Sequence, residues 1–188
     1  MNIYHYTTYQ NYKSIMNDGF IKTSYKEKKW KIKPAGVWLS LNPVCEYTCL
    51  RTVLDITNGF KRPMTMNEQS QKLGLVRFTL PFDKSDLCSW AAYKYKSNIT
   101  DGELSMLETN GILAGSNPKN WFISFQDIPT RKIENISIYL NEEYVPLTDD
   151  LILPQFEELA RVYSTRDGKY DKKDIQKLID FQNQLEIN

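Results

Sequence analysis

The chain of 188 residues is poor in the groups from which metal and phosphate sites are most often built. It has one histidine, His5, and three cysteines, Cys45, Cys49 and Cys88. A pair of thiols four apart, one distant thiol and one distant imidazole do not make a zinc site, so no metal centre is expected. The cysteines read as reduced thiols, with Cys45 and Cys49 on one helical face. Glycine-rich phosphate loops, internal repeats and low-complexity tracts are absent. The net charge of +1 excludes a protein that coats polyanions with its whole surface. No apolar run approaches the roughly 20 residues of a membrane span. The polar N-terminus, ordered from residue 3, lacks the character of a signal peptide, so the expected compartment is the cytoplasm.

Aromatic residues are plentiful, at 13% with 12 tyrosines. They can fill a core and can also stack on flat ligands. The most informative stretch is the first. Ile3-Tyr4-His5-Tyr6 is short, aromatic and β-prone. Thr7 or Thr8 can cap a following helix, along which Tyr12, Ile15 and Met16 repeat on one face. Gly19 ends that helix, and Phe20-Ile21 turns back into extended chain. The sole histidine therefore sits at the end of a strand, where sites are usually built.

Further along, Gly36-Val37-Trp38-Leu39-Ser40-Leu41-Asn42-Pro43 reads as a second strand with a small hydroxyl near its end. Trp121-Phe122-Ile123-Ser124-Phe125 reads as another, followed by Gln126 to Pro129 and a strand near Ile136 to Leu140. These islands resemble the ADP-ribosyltransferase-like superfamily, in particular its small phage- and toxin-type members. In that superfamily the first strand carries a histidine and leads into a helix ended by glycine. The resemblance spans roughly the first 147 residues.

It implies an enzyme that uses NAD as a substrate, cleaves nicotinamide from ribose and passes ADP-ribose to a macromolecule, as a toxin or phage-conflict protein would. It implies His5 at the nicotinamide-side ribose, with Tyr4, Tyr6, Thr7 and Ser40 around the cofactor. It also implies an acid that holds the ribose 2′-hydroxyl as a sugar cation develops. The segment expected to present that acid, Asn117 to Phe122, has none. Glu46, which follows the Ser40 strand at once, is the preferred candidate, ahead of Glu103, Glu108 and Asp127. Arg77 is expected beside it, or as a phosphate clamp. If no acid serves, the alternative is an inactive nucleotide- or nucleic-acid-binding module of the same fold. RNA 2′-phosphate transfer is a further related activity, disfavoured by the scarcity of arginine near the motifs.

Residues 25–34 hold five lysines around Trp30. They form either a solvated loop or a flap in which Lys28, Lys29, Trp30 and Lys31 meet the acceptor. The acceptor is RNA, DNA or protein, with nucleic acid slightly favoured. Residues 44–58 read as a helix, 59–74 as a loop with a short helix, and Leu75 to Pro81 as a strand. Residues 86–96 and 101–110 read as helices, the second stopped by Gly111. Ile133 to Leu140 and Tyr144 to Leu147 form a hairpin about Asn141-Glu142-Glu143. The whole predicts an α+β fold with mixed or antiparallel central sheets and peripheral helices over residues 1–148. Residues 149–188 are expected to be a helical extension. It packs on that domain or docks an antitoxin, a chaperone or a second copy.

Overall fold

The computed structural model describes residues 1–23, 35–54 and 61–148, the side chain of Leu54 excepted. The chain divides into two units, Met1–Leu147 and Thr148–Asn188, and the fold below is that of the first. The expected C-terminal helices and the lysine-rich segment around Trp30 lie outside the described residues. Among those residues no helix is long and apolar enough to cross a membrane.

The first unit is α+β. Seven strands form one antiparallel sheet: β1 (Asn2–Thr7), β3 (Val37–Ser40), β6 (Val76–Pro81), β7 (Cys88–Ser89), β8 (Trp121–Ser124), β10 (Asn135–Leu140) and β11 (Glu143–Pro146). Their order across the sheet is β11-β10-β6-β1-β3-β8-β7. Two small ribbons accompany it, β2 (Phe20–Ile21) with β9 (Ile128–Pro129) and β4 (Thr52–Leu54) with β5 (Lys61–Pro63). Four α-helices are described: α1 (Tyr9–Asp18), α2 (Met66–Leu73), α3 (Trp90–Lys96) and α4 (Asp101–Leu113).

Local chemistry explains the opening unit. Thr8 caps α1 through its side-chain oxygen, which accepts from the Asn11 N–H, and Gly19 ends the helix at φ 75°. Tyr12 and Ile15 of this helix pack on a core of Ile3, Ile21, Val37, Leu39 and Phe78, whereas Met16 is exposed.

Two expectations are corrected. Of the helix expected over residues 44–58, the described part, 44–54, is not helical. Glu46 accepts from the Thr48 N–H at the start of a 3₁₀ turn over Tyr47–Cys49, and the chain then extends into β4. Asn42 ties this bend, its side chain donating to the Cys45 carbonyl and accepting from the Val44 N–H. Cys45 and Cys49 therefore share no helical face, although both are free thiols. Gly111 does not stop α4 but lies inside it. A Cβ there would stand 2.4 Å from Cη2 of Trp121, so the glycine admits the indole against the helix.

Candidate active site

The sheet is nearly divided between β1 and β3. β1 pairs with β6 over six residues, and β3 with β8 over four, yet β1 and β3 share a single pair, Tyr4 with Ser40. Beyond that rung the two strands part. His5 occupies the gap, its Nδ1–H donating to the Trp38 carbonyl at 2.9 Å. On its other side the imidazole stacks against Phe78, ring centroids 6.1 Å apart.

A cleft of about 430 Å³ opens along this gap. Its walls are Tyr4-His5-Tyr6 of β1, Trp38-Leu39-Ser40 of β3, and Glu46, Thr48 and Cys49 of the bend after β3. Trp90 and Tyr93 of α3, Trp121 of β8, Ile99 and Leu107 complete it. Three of the four tryptophans of the chain stand here, with Trp90 packed edge-on to Trp121 and 5.9 Å from Trp38. No lysine or arginine among the described residues lines the cleft.

Glu46 is its charged group, and it is buried. Its Oε2 accepts from the Ser40 hydroxyl at 2.9 Å, and that hydroxyl in turn accepts from the Asn42 N–H at 3.1 Å. Its Oε1 accepts from the Thr48 hydroxyl at 3.1 Å and from the Ser116 hydroxyl. Burying a carboxylate is costly, no cation among the described residues pairs with this one, and hydroxyl donors are what hold it here.

The other ionisable groups are quiet. Burial lowers the proton affinity of His5 below its ordinary value, against an opposing contribution from the Trp38 carbonyl, so the ring is neutral at pH 7. The Cys49 thiol is pushed well up, first by its hydrogen bond with Cys45 and then by burial, which keeps it from acting as a thiolate nucleophile. Burial also pushes up the Tyr6 phenol, which donates to the Asn42 carbonyl.

The structure thus gathers Tyr4, His5, Tyr6, Ser40 and Glu46 in one cleft. Thr7 is buried beside Val76 and is not part of its lining. Arg77 is not beside Glu46. Its guanidinium donates to the Pro43 carbonyl and the Ser137 hydroxyl and lies 3.8 Å from the Tyr144 ring centroid, clamping the bend to the sheet. The rival acids are employed elsewhere. Glu103 closes the capping box of α4, Glu108 pairs with Lys94, and Asp127 accepts from the Thr23 N–H.

Lys28, Lys29, Trp30 and Lys31 lie outside the described residues. Trp38, Thr48, Trp90, Tyr93 and Ser116 were not foreseen. An aromatic two residues before the motif serine is the one available signal for Trp38, and nothing local marks Ser116. Comparison with protein-family models, with curated proteins and with solved structures gives no match.

Proposed function

We propose that the protein has an ADP-ribosyltransferase-like fold and transfers ADP-ribose from NAD to a macromolecular acceptor, with nucleic acid favoured over protein. The observation that carries the reading is the buried Glu46 carboxylate, hydrogen-bonded to Ser40 at the mouth of the gap between β1 and β3. A sheet parted at a histidine-bearing strand leaves room for a flat ring between backbone segments. The aromatic walls suit nicotinamide, which is cationic in NAD, and the absence of lysine and arginine from the described lining suits that charge.

In this reading the bond between nicotinamide nitrogen and ribose C1′ breaks first, its electron pair leaving with neutral nicotinamide. Positive charge then spreads over C1′ and the ring oxygen. Glu46 accepts from the ribose 2′-hydroxyl and stabilises that charge, more strongly in the transition state than in bound NAD. His5 is neutral and orients the ribose through Nε2. The acceptor nucleophile attacks C1′, forming the new bond there, and gives up its proton to solvent water. Arg77, tied to Pro43 and Ser137, acts by fixing the bend that carries Glu46 rather than by touching substrate.

One observation favours the second reading, a module that binds a nucleotide without turning it over. The His5 ring is half-buried, stacks on Phe78 and already spends Nδ1 on Trp38. NAD binding by calorimetry and nicotinamide release in the presence of RNA, single-stranded DNA or cell-extract protein separate the two. Glu46→Gln keeps the size of the side chain and removes its charge. It is expected to lower nicotinamide release about 10²–10³-fold while leaving NAD affinity within a few fold. Binding without release in the wild type supports the inactive module, and absence of binding ends both readings.

A further inference from the structure

The end of β3 and the bend after it supply Glu46 with two of its three hydroxyl donors, Ser40 and Thr48. The third comes from a different part of the fold. Ser116 is 70 residues away in sequence, just after α4. Its position is set by the way that helix ends. The Ser116 N–H donates to the Gly111 carbonyl and the Gly115 N–H to the Ile112 carbonyl, both at 2.9 Å. Gly115 lies at φ 96°, a left-handed conformation that favours glycine and turns the chain back toward the bend. A serine after a helix commonly satisfies a nearby carbonyl, yet this hydroxyl, itself buried, is spent on the carboxylate.

The geometry follows from the two oxygens of the carboxylate. Rotation about the last side-chain torsion of a glutamate is soft. Ser40 holds Oε2 from the sheet side, and Ser116 holds Oε1 from the helix side, with Thr48 beside it. Two elements thus fix the plane of the carboxylate. An apolar side chain in place of Glu46 would fill the same site without a buried charge, so stability does not call for this arrangement.

We infer that Ser116 is a positioning residue for Glu46, and that the C-terminal turn of α4 serves to aim the carboxylate into the cleft. The inference rests on the proposed role of Glu46 for its consequence in turnover, but not for its geometry.

The test uses the full chain with Ser116→Ala and Ser116→Thr, the second retaining a hydroxyl. Two measurements are made: kcat and KM for NAD, and the resonance of the Glu46 side-chain carboxyl carbon in ¹³C-labelled protein. Ser116→Ala is expected to lower kcat about 10- to 100-fold with KM within twofold, and to shift or broaden the Glu46 resonance. Ser116→Thr restores both. Wild-type kcat in Ser116→Ala overturns the inference. So does a fall in kcat matched by equal losses of NAD binding and thermal stability, which marks a merely structural serine. If the wild type does not turn over NAD, the proposed function fails while the positioning claim is still decided by the resonance. A signal unchanged in Ser116→Ala refutes it, and one displaced there and restored by threonine upholds it.

Discussion

Because His5 is the only histidine, the protein offers a clean pH experiment near neutrality. In the unfolded chain the imidazole titrates at its ordinary value of 6.5, and burial lowers that value in the folded protein. Below pH 6.5 the unfolded state therefore takes up a proton that the folded state refuses. Stability is fully present above that pH and is lost as pH falls through it, the reverse of a histidine that gains an anionic partner. One proton per molecule limits the slope to at most about 1.4 kcal/mol per pH unit. Between pH 7 and about pH 5.5 that limit integrates to about 1.3 kcal/mol at most. Carboxyl groups at ordinary values contribute little in that window, and whatever the N-terminus adds cancels on subtraction. Urea unfolding of wild type and His5→Gln at half-unit steps from about pH 5.5 to 7.5 measures the difference. Wild type should lose stability relative to His5→Gln on acidification. A flat difference, or one of opposite slope, would show that the ring is solvated in the folded protein and would undo the account of the gap it fills.

Gly111→Ala sets two effects against each other. Helix propensity alone gives a gain of about 1 kcal/mol. The new methyl would lie 2.4 and 2.5 Å from two ring atoms of Trp121, and overpacking of that kind costs about 1–3 kcal/mol. A net loss of about 1 kcal/mol and an altered tryptophan emission are expected, and a rise in Tm would contradict the packing of the indole on α4. Changing Lys28, Lys29 and Lys31 together to Ala should weaken labelling of a nucleic-acid acceptor and flatten its salt dependence. Label confined to protein and indifferent to those lysines would return the segment to a solvated loop.

The readable parts of the sequence were those whose structure is decided locally. Thr8 and Gly19 bound α1 by capping chemistry that is written in neighbouring residues. The strands at Val37–Ser40 and Trp121–Ser124 follow from compact β-prone runs. A helix is expected over residues 44–58 from apolar residues at helical spacing, but in the described part the side-chain bonds of Asn42 and Glu46 draw the backbone out of a helix. Gly111 was misread because its reason is Trp121, ten residues away, and spacing along the chain does not carry that contact. The choice of Glu46 rested on its nearness to Ser40, and the two side chains do meet. Arg77 is expected beside Glu46 or on a phosphate, and in the described fold its guanidinium donates to the Pro43 carbonyl and the Ser137 hydroxyl. Ser116 depends on a contact across 70 residues, which only the fold supplies.

The lone rung between Tyr4 and Ser40 has a mechanical meaning. Two plates, β11-β10-β6-β1 and β3-β8-β7, are each laced by their own ladders and are stitched to one another at one point. The angle between such plates is not dictated by backbone hydrogen bonding, which elsewhere makes a sheet stiff. It is set by what packs across them, the shared core of Ile3, Phe78 and Leu80 with Val37, Leu39 and Phe122, and by the His5 imidazole on the Trp38 carbonyl. Side chains across that seam can therefore retune the width of the mouth while both ladders stay whole.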